Sequence, residues 1–193
     1  NVEAQLSSVI DRYLEELGQG PSYLRVFLAR SDPALNYGIL SADLLNKVAL
    51  RRLDSLQRAC GVTLYPIIGV GGVPFRGNLR PGFVDSVLAE YPSVHTFTVQ
   101  SSFKFDHDQE TVRKEVRKLL EHRCGDPLPI DEARAMELIH RYTECYQQQV
   151  ERLAPTGSLH PMMVQIPGIL VDAIVVAKKE NHQQTFIEEY NPA

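Results

Sequence analysis

Between Tyr65 and Pro81 the chain carries four glycines, Gly69, Gly71, Gly72 and Gly77, together with two arginines, Arg76 and Arg80. No acidic residue lies between Pro66 and Gly82, so these guanidinium groups lack a local neutraliser although the whole chain has a formal charge of −4. Glycine-rich backbone brings N–H groups close to a ligand, and the planar arginine fork matches the oxygens of a phosphate or carboxylate. By type, this loop is a cradle for a small anion. It is not a Walker A loop, because the closing Gly-Lys-Ser/Thr is missing, and it matches GxGxxG poorly.

Two more polar groups follow apolar runs. Ser31, Asp32 and Asn36 come after Leu24–Arg30, and Gln100, Ser101, Ser102 and Lys104 come after or at the end of Val94–Gln100. Asp32, directly before Pro33, suits a turn or helix cap; beside a phosphate site the same carboxylate suits Mg²⁺, which prefers oxygen ligands. Arg76 is either a solvated loop residue or the anchor of an anion, and Arg80 either joins it or caps the next helix. Asn36 and Gln100 divide between surface and site roles, while Lys104 reads first as a surface lysine. His95 sits inside a strand pattern and reads as a core or edge residue. His107, His122, His140, His160 and His182 are scattered without an HExxH spacing, and Cys60, Cys124 and Cys145 have no CxxC partner. A histidine metal cluster, a zinc site and a disulfide framework are therefore not expected, and a reducing, cytoplasmic setting is.

The elements that must position these residues follow from periodicity. Val2 to Leu17 predicts an amphipathic helix stopped by Gly18, and Leu24–Arg30 a buried strand between two turn signals. A helix over about Ser41–Cys60 closes at Gly61. Val62–Gly69 is a second strand running into the glycine loop, Gly82–Tyr91 a short helix, Val94–Gln100 a third strand and Asp106–Arg123 a charged helix. Asp131 to about Leu153 continues as a long polar helix with Met136, Ile139, Tyr142 and Tyr146 on one side. Strands alternating with helices predict a parallel α/β sheet or barrel, with ligands at the carboxyl ends of the strands, so the three polar groups are expected to share one rim. The composition, 44% hydrophobic and 23% charged over 193 residues, is that of an ordinary soluble domain. No run approaches the about 20 apolar residues of a membrane span, and no long basic cluster invites nucleic acid.

Three motifs in order carry a resemblance: Ala29-Arg-Ser-Asp-Pro-Ala-Leu-Asn-Tyr-Gly38, Tyr65-Pro-Ile-Ile-Gly-Val-Gly-Gly-Val-Pro-Phe-Arg-Gly77 and Val99-Gln-Ser-Ser-Phe-Lys-Phe-Asp106. From about residue 1 to 148 the chain resembles the archaeal-type phosphoenolpyruvate carboxylases. The resemblance implies a lyase that joins bicarbonate to phosphoenolpyruvate, with Mg²⁺ or Mn²⁺, to give oxaloacetate and phosphate. It implies Asp32 as a metal ligand, Arg76 as the catalytic arginine that stabilises the phosphate, and Gly71, Gly72, Gly77 and Gln100 as substrate-binding positions. The implied fold is a partial (β/α)8 barrel over residues 1–153, because a complete barrel takes about 250 residues. The family's catalytic histidine, glutamate metal ligand and several further arginines have no counterpart here. The first residue is Asn, and the chain is expected to be a middle piece of a longer enzyme, incomplete for turnover by itself.

Residues 154–193 are expected to be a separate, strand-rich segment. Gly157-Ser-Leu-His-Pro-Met-Met-Val-Gln-Ile-Pro-Gly-Ile-Leu-Val-Asp-Ala-Ile-Val-Val-Ala177, with Gln184-Thr-Phe186 and Glu189-Tyr-Asn-Pro-Ala193, is similar to a segment of the acetate/propionate-type coenzyme A transferases. That family's glutamate nucleophile motif is absent. Such a junction implies a fusion, a rearranged or misassembled gene, or a designed chimera. Exposed sheet edges and apolar helix faces in a partial barrel lead to an expectation of homo-oligomers.

Overall fold

Two apolar segments separated by a long helix pair in parallel, as a right-handed crossover dictates. The structure, a computed structural model, describes residues 2–16 and 22–153. Strand β1 (Tyr23–Ala29) lies beside β2 (Thr63–Gly69) over seven positions, from Tyr23↔Thr63 to Ala29↔Gly69. Strand β3 (Thr96–Phe97) pairs with β2 through Ile67↔Thr96 and Ile68↔Phe97, giving a three-stranded parallel sheet of order β1-β2-β3. Pro66 sits in the central strand, where a missing N–H normally breaks the ladder. Its carbonyl accepts from His95 N–H at 3.0 Å, and the Ile68 carbonyl accepts from Thr98 N–H at 3.1 Å. Even-numbered residues of β2 thus face β3, and the missing donor falls where β3 has not yet begun.

Seven helices accompany the sheet among the described residues: α1 (Val2–Glu16), α2 (Ser31–Tyr37), α3 (Ile39–Cys60), α4 (Val84–Glu90), α5 (Ser101–Phe105), α6 (Gln109–Glu121) and α7 (Glu132–Leu153). The crossover helix α3 ends at Gly61, which takes the left-handed conformation (φ 69°) and returns its N–H to the Gln57 carbonyl at 3.0 Å. Helix α6 starts on Asp108, whose carboxylate accepts from Thr111 N–H at 2.9 Å. The core forms where Val26 and Leu28 of β1 and Leu64 and Ile68 of β2 meet Leu50 and Leu53 of α3, Val84 and Val87 of α4 and Val112 of α6. Helix α7 lies along α3: Ile139 is buried, its carbonyl accepts from Ser41 Oγ at 3.3 Å, and Arg52 meets Glu132 at 2.9 Å. Tyr142, placed on the same face by periodicity, is 38% exposed. No helix of the described residues is long and apolar enough to cross a membrane.

The fold corrects one expectation outright. The described residues are α/β, but they form a small open sheet and not a part of a (β/α)8 barrel: β1 and β3 are edges, and nothing among these residues closes the sheet. Alternating strands and helices dictate parallel pairing with helical crossovers; closure also needs strand number, tilt and stagger to agree, and three strands cannot meet that condition. The strand-rich reading of residues 154–193 lies outside the described residues.

Beside this core a polar chain links α3 to the carboxyl end of α4. The fully buried Tyr91 donates its hydroxyl to Asp43 Oδ1, Asp43 pairs with Lys47 at 2.7 Å, and Lys47 reaches Glu90 at 3.2 Å. Burial raises the Tyr91 pKa and the negative Asp43 adds to it, while the Arg30 guanidinium works in the opposite direction. Burial works against the Lys47 charge, yet Asp43 and Glu90 outweigh it and its pKa rises. Glu90 is pushed up by burial and by Asp43. A Tyr91→Phe chain keeps the packing and loses the donor to Asp43, so urea denaturation should show a loss of about 1–3 kcal/mol with an unchanged m-value.

Candidate anion site at the carboxyl end of the sheet

The parallel register brings the ends of β1 and β2 side by side, and the Arg30 N–H extends the ladder by donating to the Gly69 carbonyl at 3.2 Å. Beyond this point β1 turns directly into α2, which carries Asp32 in its first turn, and β2 runs into the glycine loop. The loop folds back on itself. Gly71 N–H donates to the Arg76 carbonyl at 2.7 Å, Leu79 N–H to the Gly71 carbonyl at 2.9 Å and Asn78 N–H to the Val73 carbonyl at 3.0 Å. Pro74–Arg76 forms a short 3-10 turn that ends on Gly77 at φ 114°. Asn78 follows in the left-handed region, at φ 59°.

This fold-back brings together the residues expected from sequence. Arg76 Nη2 donates to Asp32 Oδ1 at 3.4 Å, across two segments 44 positions apart. The Asp32 side chain is 76% exposed and that of Arg76 42%, so both are open to a ligand. Gln100, at the start of α5, closes the third side: a Cβ added to Gly71 would stand 2.9 Å from Gln100 Oε1 and 2.8 Å from Arg76 Cβ. One added to Gly72 would meet Ser102 Oγ at 2.6 Å, and one on Gly77 would meet Val70 Cγ1 at 2.8 Å. Asp32, Gly71, Gly72, Arg76, Gly77 and Gln100 thus belong to one constellation. Two other candidates turn aside. Lys104 lies 5.2 Å from the Phe105 ring, and the Arg80 guanidinium stacks over Phe83 at 4.2 Å. His95 is exposed on the strand edge, 4.5 Å from the Tyr65 ring.

Sequence reasoning missed Arg30. It is 4% exposed, and its Nη1 donates to the Phe75 carbonyl at 2.6 Å, directly beneath the residue before Arg76. The only signal was a basic residue closing an apolar strand, which reads equally well as a strand boundary.

Two buried polar atoms of this rim, Arg76 Nε and Ser102 Oγ, have no hydrogen-bond partner among the described residues. Both can donate, and orphaned buried donors are costly unless something accepts from them. An oxyanion is the matching acceptor. For a metal the donor set is thinner: no group of three His, Cys, Asp or Glu residues converges among the described residues, so Asp32 stands as the carboxylate of this rim. One carboxylate beside a phosphate site fits Mg²⁺, which is commonly held by one or two carboxylates with water and substrate oxygens completing its shell.

The loop's dependence on Gly77 can be separated from backbone strain alone by comparison with Gly61, whose Cβ would meet nothing within 4 Å. Gly61→Ala should cost about 1 kcal/mol for the left-handed conformation. Gly77→Ala should cost about 2–4 kcal/mol, because the Val70 clash adds to the strain. Denaturant midpoints of the two variants, measured side by side, check the difference.

A family model described as phosphoenolpyruvate carboxylase matches residues 2–167. The match runs past residue 153, where the first segment was expected to end. Among curated relatives, the phosphoenolpyruvate carboxylase of Halobacterium salinarum is 54% identical over 134 residues, covering 69% of this chain and 27% of that protein. That of Pyrococcus abyssi is 48% identical over 149 residues, 77% of this chain and 31% of its own length. That of Methanothermobacter thermautotrophicus is 46% identical over 144 residues, 75% and 29% respectively. The chain therefore spans less than a third of the length of these relatives. A match of this family model over residues 2–167 of the 193 shows that the chain belongs to the phosphoenolpyruvate carboxylase family.

Proposed function

We propose that the glycine loop and its neighbours form the phosphate-binding wall of a phosphoenolpyruvate carboxylase site, and that this chain binds phosphoenolpyruvate there. The observation that carries the reading is the convergence of Arg76, Asp32 and Gln100 from three separate strand ends onto one loop, beside the unpaired donors Arg76 Nε and Ser102 Oγ. The reaction it would serve transfers charge twice. A bicarbonate oxygen attacks phosphorus while the bond to the enol oxygen breaks, leaving carboxyphosphate and the enolate of pyruvate. The enolate carbon then takes the carboxyl carbon, phosphate leaves with the bicarbonate proton, and oxaloacetate remains.

Each residue has a role in this reading. Arg76 binds the phosphoryl oxygens through its fork and faces the charge that develops on them, where a preformed cation is worth most. Gly71 and Gly72 keep side-chain carbon out of the space between Arg76, Gln100 and Ser102, and Gly77 lets the loop pack directly on Val70. Gln100 sets a neutral amide against the substrate on the side away from Asp32. Asp32 would hold Mg²⁺ or Mn²⁺ through its carboxylate. When bound, such an ion neutralises substrate oxygens as a Lewis acid. The residues described here make one wall, which is a reason to test binding before turnover.

Titration of the ¹⁵N-labelled chain with phosphoenolpyruvate and Mg²⁺ should move the amide signals of Gly71, Gly72, Arg76 and Gly77 at millimolar ligand or below. Arg76→Ala should weaken this binding at least tenfold, in keeping with the about 1.5–3 kcal/mol of a charged hydrogen bond. Saturating millimolar ligand without movement of these signals would overturn the reading.

A further inference from the structure

Arg30 leaves β1 one residue after its last paired position and passes beneath the glycine loop. Its Cδ lies 3.5 Å from the point where a Gly77 Cβ would stand, and its Nη1 holds the Phe75 carbonyl at 2.6 Å. At 4% exposure the guanidinium is screened from solvent, and no carboxylate among the described residues is in ion-pair contact with it. Its Nε has no hydrogen-bond partner there either. A buried cation without a counter-ion is expensive, and an apolar side chain of similar length would fill the same space more cheaply. Packing therefore does not account for an arginine at this point, and direct contact with a ligand does not either, since the side chain is closed off by the loop above it.

We infer that Arg30 is a positioning residue: by gripping the Phe75 carbonyl from below, it fixes the Phe75–Arg76 peptide and so aims Arg76 at the anion. The loop's own backbone bonds close it as a turn, and the bond from Arg30 ties that turn to the end of β1. The same cation lies under a site for an anion, so ligand binding above offsets part of the cost of burying it. The inference deepens the phosphate-binding reading and rests on it for the ligand, but the tie between Arg30 and the loop is measurable without any ligand.

The test uses the full chain with Arg30→Met, which keeps the stem and removes the donors, and Arg30→Lys, which keeps a charge and one point of donation. Amide hydrogen exchange of the ligand-free proteins is read first, followed by phosphoenolpyruvate affinity in the presence of Mg²⁺. In Arg30→Met the Gly71, Arg76 and Asn78 amides should exchange at least tenfold faster while those of the β1–β2 ladder keep their rates, and affinity should fall about tenfold. Arg30→Lys should recover a large part of both. Equal acceleration of loop and ladder would reduce Arg30 to a general stabiliser, and unchanged loop exchange or wild-type affinity in Arg30→Met would overturn the inference. If Arg30→Met does not fold, Arg30→Gln, which is too short to keep the bond to the Phe75 carbonyl and carries no charge, takes its place in both measurements and is judged by the same outcomes. If the wild-type chain fails to bind phosphoenolpyruvate while Arg30→Met still loosens the loop, the positioning role stands and the substrate reading is the part that falls.

Discussion

The in-register parallel pairing of β1 with β2 is the constraint on which the site depends. Ala29 opposite Gly69 brings Arg30, Ser31 and Asp32 level with the first residues of the glycine loop. A register shift by one residue would send each side chain to the opposite face of the sheet and part Asp32 from Arg76. The register is secured because both strands are buried: Val26, Leu28, Leu64 and Ile68 are each no more than 5% exposed, and a slip would carry them out of the core. Core packing and site geometry are thus one and the same requirement.

Beyond the sheet, a second layer of polar contacts supports the rim. Arg30 stands between the Phe75 carbonyl of the loop and the Tyr91 hydroxyl, from which the chain continues through Asp43 and Lys47 to Glu90. Such networks are costly when incomplete and rigid when satisfied. Here the end near the solvent is paired, whereas Arg30 Nε, at the end under the loop, has no hydrogen-bond partner among the described residues.

Much of this was legible in the sequence, and the gaps have physical causes. The long helix, the first two strands and the shared rim followed from periodicity, Gly61 and the missing acids around Arg76. Helix α2 was hidden because Ser31-Asp32-Pro33 reads as a stop, although proline is tolerated in the first turn of a helix, where its absent N–H is no loss. Helix α5 has five residues, too few for a period to show. The third strand was expected over seven residues and pairs over two, because Thr98 changes the mode of contact: its hydroxyl, and not its backbone, accepts from Val70 N–H at 3.2 Å. A barrel was inferred from an alternation that dictates crossovers but not closure. Arg30 was missed because sequence shows that a cation ends a strand, and only coordinates show it turned inward.

The Asp32–Arg76 contact then takes on a specific meaning. At 3.4 Å, with both side chains open to water, it is a surface ion pair of the kind worth about 0–1 kcal/mol. A weak pair holds the two groups near each other without spending the charge of either. A phosphate can therefore take the guanidinium from the carboxylate at little cost, and the freed carboxylate is left beside the new anion, where two like charges repel unless a cation is shared between them. On the proposed reading, the geometry that makes Arg76 available would create, on substrate binding, a need for a divalent ion at Asp32. Anion and metal would then bind with positive coupling, each more tightly in the presence of the other.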